Sequence, residues 1–209
     1  EESAAYSIRV LGEFPQADED TYIPLHLIEA SLTRDIEESP NAPVVWGLDC
    51  ARYGSDRSAL AKRKGNHLTE NIKTWRDKST MELAGIILNE YETTPIMERP
   101  QEILVDSIGV GAGVVDRLIE LELPARGINV AESASLSDKY MRLRDELWGK
   151  TREFFEAKEC VLPDDAQLVH ELAAPRFSFT SSGKIKIESK DELRKRGIKS
   201  PDLADAFCL

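Results

Sequence analysis

One segment limits the possible folds more than any other: an almost continuous apolar run that ends in a carboxylate. Asp49 directly follows the run Val44–Leu48. A continuous apolar segment of this length is typical of a strand that is buried on both faces of a sheet. Burying an unpaired carboxylate costs several kcal/mol. We therefore expect Asp49 to have a partner, a cation or an exposed strand end; the alternative is that it only caps the following turn.

From Pro43 onward, strand and helix patterns alternate along the chain. The predicted strands are Val44–Cys50, Ser58–Lys64, Leu68–Trp75, Ile103–Asp106 and Gly127–Val130, with a hairpin over 176–188. The predicted helices are Ser79–Tyr91, Gly113–Leu121, Asp138–Lys158, Asp165–Ala173 and Asp202–Leu209. The early strands predict an antiparallel meander, and the later strand–helix–strand units predict parallel additions with right-handed crossovers. This is the order of an α/β, ribonuclease H-like mixed sheet with helices on both faces.

Residues 1–40 differ from the rest and are interpreted as a linker or lead-in from an upstream domain, with residues 41–209 as the main domain. Within the linker, Ser7–Leu11 is a predicted strand and Pro24–Leu32 a predicted helix, followed by a polar break with two prolines. Because the chain begins with Glu1, we expect it to be a piece of a longer protein.

The overall charge argues against a domain that coats nucleic acid. Lys and Arg number 27 against 38 Asp and Glu, a formal net charge of -11, whereas such domains are basic. This balance is compatible with a local basic face or with an acidic cluster that holds cations. The three cysteines share no CxxC spacing, so neither a disulfide framework nor a cysteine-based zinc site is expected.

A second carboxylate follows an apolar strand in the same way. Asp106 ends the run Ile103–Val105 and precedes a glycine-rich segment, 107–113. In open α/β sheets, ligands bind beyond the carboxyl ends of the strands. The glycines there have the spacing G-x-G-x-G, which does not match the dinucleotide-binding fingerprint, and the sequence contains no P-loop motif.

Two more acids lie at the start of the last helix. Ser200 as N-cap and Pro201 at the first helical position are typical of a helix start. A first-turn acid such as Asp202 is favoured there by the helix dipole, but Asp205 shares its face and would repel it. A metal ion between these acids and others relieves the repulsion. Oxygen ligands suit Mg²⁺ or Mn²⁺, and two such ions about 4 Å apart promote phosphodiester cleavage.

Three motifs, Gly47–Ser58, Val105–Gly113 and Ser200–Ala206, together resemble the C-terminal nuclease domain of tailed-phage terminase large subunits. Arg9–Pro15 resembles the linker that follows the ATPase domain in that family. The resemblance covers nearly the whole chain. It implies an RNase H/RuvC-integrase-like fold and a metal-dependent endonuclease that cuts concatemeric viral DNA at the start and end of packaging into the procapsid.

The resemblance also implies site residues and partners. Asp49, Asp106 and Asp202 match the catalytic, metal-binding triad for two Mg²⁺ or Mn²⁺ ions, Asp56 an accessory acid, and Asp205 an acid of some relatives. The implied partners are double-stranded DNA, an N-terminal ATPase domain of the same polypeptide, the portal protein and the small terminase subunit. The implied location is the host cell cytoplasm, on the procapsid portal, and not the mature virion. The ATPase motifs themselves are missing, so translocation is not ascribed to this chain.

A basic segment precedes Asp202, with seven cations among residues 184–199. Phosphate contacts of this kind bind DNA without reading its sequence. The DNA-binding candidates are Lys184, Lys186, Lys190, Arg194, Lys195 and Arg196, with Arg142, Arg144, Lys150 and Arg152 as weaker ones. The alternative is a solvated hairpin and helix face.

Other functions remain open at this point. An actin-like or sugar-kinase-like ATPase shares the fold, but it needs a second domain and a phosphate loop, for which 209 residues are too few. A RuvC- or transposase-type nuclease would use the same chemistry, although the linker motif argues against it. A non-catalytic DNA- or portal-binding module would leave the aspartates without a purpose.

Overall fold

The computed structural model describes residues 21–51 and 56–209. The strands are β1 (Val44–Asp49), β2 (Ser58–Lys64), β3 (His67–Leu68), β4 (Lys73–Trp75), β5 (Glu102–Asp106), β6 (Ala125–Ile128), β7 (Phe177–Phe179) and β8 (Ile185–Ile187). The helices are α1 (Leu25–Leu32), α2 (Thr80–Thr93), α3 (Val110–Glu120), α4 (Leu143–Glu156), α5 (Ala166–Ala173), α6 (Lys190–Lys195) and α7 (Asp202–Cys208), with a 3₁₀ turn at Ile96–Glu98. The predicted strand Ser7–Leu11 lies outside the described residues. No helix in the described part is long and apolar enough to cross a membrane.

The main sheet is mixed, as predicted. Its strand order is β3-β2-β1-β5-β6, and β4 also pairs with β2. Strand β2 pairs antiparallel with β1, β3 and β4, whereas β5 is parallel to both β1 and β6. The predicted third strand, Leu68–Trp75, is in fact two short strands, both of which pair with β2. Strands β7 and β8 form the predicted hairpin as a separate sheet.

Helices cover both faces of the sheet because alternate residues of its central strands are buried on opposite sides. Leu60 packs in a core with α2 and α3, which supply residues such as Ile87 and Leu118. Its neighbours Ala59 and Ala61 pack in the other core, which includes residues of α1, α4, α5 and α7. The small side chains on this second face allow α7 to approach the sheet closely.

Helix α1 packs against the domain core, which differs from the predicted boundary at residue 40. Tyr22, Ile23 and Ile28 are buried in one cluster with Trp148 and Phe155. A flexible linker would leave these side chains exposed to water. Their burial is energetically favourable and fixes the segment against the domain core. Residues 21–32 therefore belong to the folded domain, and the interpretation of residues 1–20 as a linker stays a prediction.

Two helix starts differ from the sequence prediction, and one further helix was not predicted. Helix α3 begins at Val110 rather than Gly113, because Gly109 adopts a positive φ of 61° at its N-cap. Helix α4 begins at Leu143 rather than Asp138, since the N–H of Met141 donates instead to the carbonyl of Ile185. Helix α6 was not predicted, although Ser189 and Glu192 form a capping box at its start.

Candidate active site

Asp49 and Asp106 lie at the carboxyl ends of two neighbouring parallel strands. In the register of β1 and β5, Leu48 is opposite Val105. The next residues along, Asp49 and Asp106, therefore end both strands at the same edge of the sheet. Because alternate residues of a strand share a face, Asp49 faces the same side as Gly47.

The glycines after β5 allow the chain to turn tightly over the end of that strand. A Cβ atom on Gly111 would lie 1.7 Å from the carbonyl oxygen of Asp106. The N–H of Ile108 donates to Asp106 Oδ1 at 3.0 Å and so orients this carboxylate. Glycine at position 111 thus allows the start of α3 to pack directly against the backbone at the end of β5.

Helix α7 carries Asp202 and Asp205 and lies directly against β1. A Cβ atom on Gly47 would be only 2.0 Å from the carbonyl oxygen of Ala206. Glycine at this position is therefore required for the contact. Since Gly47 and Asp49 share a face of β1, the same contact brings both acids of α7 to Asp49.

The start of α7 is held by a carboxylate from α5. Glu171 Oε2 accepts the N–H groups of Leu203 at 2.7 Å and Ala204 at 3.3 Å, and Oε1 accepts Arg57 Nη2 at 2.9 Å. The backbone N–H of Arg57 in turn donates to Asp202 Oδ2 at 2.9 Å. Burial raises the pKa of Glu171 to about 7, although these donors oppose the shift. Glu171 thereby positions both the helix and one metal-ligand candidate.

The predicted N-cap of α7 is wrong. Pro201 occupies the N-cap position, and no side chain caps the helix from there. Ser200 Oγ is buried and has no hydrogen-bond partner among residues 21–51 and 56–209. The physical reason is that Glu171 already accepts the N–H groups that a serine N-cap would have bonded.

Lys190, the first residue of α6, places its ammonium group among the aspartates. Its Nζ lies 3.0 Å from Asp49 Oδ2, 3.4 Å from Asp205 Oδ2 and 3.7 Å from Asp202 Oδ1. Lys190, a DNA-contact candidate in the sequence analysis, therefore forms ion pairs with the carboxylates of the site. Burial alone would lower its pKa, but the attraction of these three acids outweighs burial and raises it.

Burial also affects the two strand-end acids. It raises the pKa of Asp49 to about 7, although the charge of Lys190 opposes the shift. It raises the pKa of Asp106 as well, against the hydrogen bond from Ile108. Both acids therefore lie in surroundings that disfavour an uncompensated negative charge and favour a nearby cation.

Asp205 is held by two donors from α4. Arg144 Nη2 lies 3.1 Å and Trp148 Nε1 3.0 Å from Asp205 Oδ1. Burial would raise the pKa of Asp205, but Arg144, Lys190 and Trp148 together keep it below its ordinary value. Arg144 also donates to the carbonyl of Glu188 at 3.0 Å, which ties the hairpin to the site.

These side chains line a cavity of about 300 Å³. Its polar lining residues include Asp49, Asp106, Arg144, Lys190 and Asp205. Asp205 Oδ2 and Asp202 Oδ1 are buried and accept no hydrogen bond from the described residues. Both oxygens face the ammonium group of Lys190, at 3.4 and 3.7 Å. Carboxylate oxygens are ligands that Mg²⁺ and Mn²⁺ prefer, so the donor set fits a divalent cation.

As arranged around Lys190, however, no three Asp, Glu, His or Cys side chains in the described part of the chain form a group that could hold a metal ion. The oxygens lie 3.0–3.7 Å from the ammonium nitrogen, whereas Mg²⁺ needs oxygens at about 2.0–2.1 Å. Binding a cation in this position therefore requires Lys190 to move out and the carboxylates to move closer together.

Asp56, the predicted accessory acid, is not among the lining residues of this cavity. It forms an ion pair with Arg194, at 2.6 Å from Nη2, and lines a different cavity together with Asp202. The structure thus brings Asp49, Asp106, Asp202 and Asp205 together and leaves Asp56 in another position.

The basic segment is largely committed to ion pairs within the chain. Lys186 pairs with Glu192 at 2.9 Å, Arg194 with Asp56, and Arg196 with Glu188. Lys195 is exposed and Lys184 is half-buried. DNA contact by these residues stays a prediction.

Sequence reasoning missed Glu171, Arg57 and Trp148, and it treated Arg144 only as a weak DNA contact. The partners of the first three are distant in sequence: Glu171 and Leu203 are 32 positions apart, Trp148 and Asp205 57, and Arg57 and Asp202 145. No local pattern connects such residues. One usable signal was a lone carboxylate within the apolar stretch of α5, which marks Glu171 as a buried acid with a partner.

No protein-family model matches this sequence, and no curated protein sequence does. Solved structures are similar in fold. The nuclease domain of the large terminase subunit of bacterial virus Sf6 has a TM-score of 0.67 and 20% identity, covering 89% of this chain and 96% of that domain. The large terminase nuclease of thermophilic phage G20c, solved with magnesium, has a TM-score of 0.64 and 13% identity over 88% of this chain and 93% of that one.

The large terminase nuclease domain of Thermus phage P74-26 is similar to the same degree, with a TM-score of 0.61 and 12% identity over 88% of this chain and 91% of that domain. A mutant of the Sf6 domain was solved with manganese, and the G20c nuclease also with cobalt. The shared feature is the RNase H-like fold, which confirms the fold predicted from the order of strands and helices.

Proposed function

We propose that this chain is the nuclease domain of a viral DNA-packaging terminase. It cleaves concatemeric double-stranded DNA by metal-dependent phosphodiester hydrolysis at the initiation and termination of packaging. One observation carries the proposal: Asp49, Asp202 and Asp205, from two separate elements, surround the ammonium group of Lys190, and Asp106 from a third element lines the same cavity as Lys190. A structural ion pair with one lysine needs only one or two carboxylates. A cluster of four is larger than that pair requires, and divalent cations would supply the missing positive charge.

In this proposal Asp49, Asp106 and Asp202 hold two Mg²⁺ or Mn²⁺ ions, and Asp205 completes the set. When bound, such ions supply an activated water and stabilise the leaving oxygen. Arg144 and Trp148 keep Asp205 ionised and fixed in orientation, and Glu171 holds α7 so that Asp202 points at the site. Lys190 neutralises the carboxylates before the ions bind.

The fold shared with terminase nuclease domains and the three sequence motifs support the wider setting of this proposal. There, the domain acts beside an N-terminal ATPase domain of the same polypeptide, with the portal protein and the small terminase subunit, on the procapsid in the host cytoplasm. The metals present in the Sf6 and G20c structures support a divalent requirement.

The test is a plasmid-nicking assay with Mn²⁺, with Mg²⁺ and with EDTA. We compare the chain with Asp49→Asn, Asp106→Asn and Asp202→Asn, which keep the size of each side chain and remove its charge. The control is Asp116→Asn, which removes the same charge from an exposed position on α3.

We expect cleavage with either metal and none with EDTA, a loss of at least about a hundredfold in the three site variants, and no change in the control. Cleavage that persists in EDTA, or that all three variants retain, would overturn the proposal. DNA binding without any cleavage in the intact chain would point instead to a non-catalytic module.

A further inference from the structure

A second cavity, of about 510 Å³, has Asp202 among its lining residues. Its lining differs from that of the first cavity, because cations outnumber acids there. Arg57, Arg76, Arg194 and Lys199 contribute positive charge, and Asp56 and Asp202 contribute negative charge. A cavity that is cationic in a chain with a formal net charge of -11 is a local exception to the overall charge.

Two of these cations are already paired within the chain, and two are not. Arg57 contacts Glu171 at 2.9 Å, and Arg194 contacts Asp56 at 2.6 Å. The second pair neutralises the acid that would otherwise repel an anion. Arg76 and Lys199 are exposed and make no ion pair with any residue in the ranges 21–51 and 56–209. Their charge is therefore available to a ligand.

Ser200 adds a polar group that also has no partner. The residue is 4% exposed, it lines this cavity, and its Oγ has no hydrogen-bond partner in the described part of the chain. A buried hydroxyl without a partner is costly to folding, so it normally has an acceptor. The position of Ser200 is not explained by capping, because Glu171 caps α7.

We propose that this second cavity binds a phosphodiester group of the DNA strand, at a position other than the one that is cleaved. The ligand chemistry follows from the three unpartnered groups: phosphate oxygens accept from the Ser200 hydroxyl and attract Arg76 and Lys199. The proposal rests on the proposed function and deepens it. Because Asp202 belongs to both sites, a phosphate in the second cavity would set the register of the strand relative to the aspartates.

The first experiment measures binding of a short fluorescent DNA duplex in EDTA, by anisotropy over a series of salt concentrations. The double variant Arg76→Ala/Lys199→Ala is compared with Arg117→Ala/Arg126→Ala, which removes equal charge from α3 and β6. We expect the cavity variant to bind at least about tenfold more weakly and to lower the salt slope by about one for each cation. Equal salt slopes in the two double variants would overturn the proposal.

Ser200→Ala distinguishes ligand binding from a structural role. The hydroxyl has no partner within the described chain, so we expect an unchanged or higher urea midpoint together with DNA binding weaker by about tenfold and an unchanged salt slope. A lower urea midpoint with unchanged DNA binding would overturn the proposal, because it would show that the hydroxyl serves the fold.

Two further measurements, DNA cleavage and thermal stability with inorganic phosphate, distinguish the other outcomes. If the wild type cleaves DNA and the cavity variants bind and cleave it as well as the wild type, the proposed nuclease stands and the phosphate site fails. If the cavity variants weaken DNA binding but no chain cleaves DNA, the phosphate site stands and the nuclease fails. Thermal stabilisation by inorganic phosphate alone, lost in Ser200→Ala while DNA binding is unchanged, would assign the cavity to a small anion and overturn the DNA assignment.

Discussion

Lys190 Nζ and Asp49 Oδ2 lie 3.0 Å apart, although the two residues are 141 positions apart in the chain. The ion pair joins the start of α6 to the end of β1. The side chain of Lys190 is 33% exposed and that of Asp49 only 6%. The lysine can therefore move towards solvent when a cation arrives, whereas Asp49 cannot leave.

The variant Lys190→Ala should bind Mn²⁺ more tightly and be less stable without it. With the ammonium removed, a cation has no competitor for the carboxylates, so we expect the Kd for Mn²⁺ to fall at least about tenfold in calorimetric titration. In EDTA the buried acids repel one another, and the free energy of unfolding should fall by about 1–3 kcal/mol. Added Mn²⁺ should restore it.

The matched control is Lys186→Ala, which removes a lysine that pairs with Glu192 nearby. Its Mn²⁺ affinity should equal that of the wild type, and its stability should change by less than about 1 kcal/mol. Equal Mn²⁺ affinity in Lys190→Ala and the wild type would show that the lysine does not compete with the cation.

A methyl group at position 47 should be far more harmful than one at position 85. Gly47→Ala would put a Cβ atom 2.0 Å from the carbonyl oxygen of Ala206, so α7 must move away from β1. We expect a loss of at least about 3 kcal/mol in urea unfolding and a loss of nuclease activity. Gly85→Ala in α2 meets nothing within 4 Å and should stabilise the chain by up to about 1 kcal/mol. Similar urea midpoints for the two variants would contradict the packing of α7 on β1.

Removing Glu171 should loosen the start of α7. Glu171→Ala leaves the N–H groups of Leu203 and Ala204 and the guanidinium of Arg57 without their acceptor. The expected cost is about 2–4 kcal/mol, measured by urea denaturation. Glu171→Gln keeps an acceptor oxygen and should lose less. Two variants as stable as the wild type would show that α7 is held by its apolar contacts alone.

The capping box of α6 should make stability depend on acid pH. The N–H of Ser189, with the side chains of Lys186 and Ser189, lowers the pKa of Glu192 from 4.5 to about 2. A lowered pKa in the folded state means that this contribution is present above pH 4.5 and is lost as the pH falls towards 2. Glu192→Gln lacks this contribution. Its free energy of unfolding, measured in urea, should therefore be lower than that of the wild type near neutral pH and equal to it in acid. The gap should not exceed about 1 kcal/mol, since the side chain is 40% exposed. A gap that is the same at both pH values would contradict the assignment.

Local patterns were sufficient for most of the fold. The apolar run before Asp49 predicted β1, and the predicted helix Ser79–Tyr91 corresponds to α2, for which Ser79 is the N-cap. The prediction was less accurate where contacts with distant parts of the chain decide the conformation of a segment. Residues 138–142 have a helical pattern, but they bond to β8 instead, and residues 21–32 pack in the core although their sequence resembles a lead-in.

The sequence alone identified Asp49, Asp106, Asp202 and Asp205 as candidate site residues and predicted the order of the elements that carry them, because an acid that ends an apolar run or starts a helix can be identified from neighbouring residues. Only the tertiary structure decided what surrounds each acid. It placed Lys190 among the carboxylates, Glu171 under α7 and Asp56 beside Arg194. Hydrogen bonds and ion pairs act over about 3 Å in space and are indifferent to distance along the chain. The partner of a charge is therefore set by how helices pack on the sheet, which a local pattern does not contain.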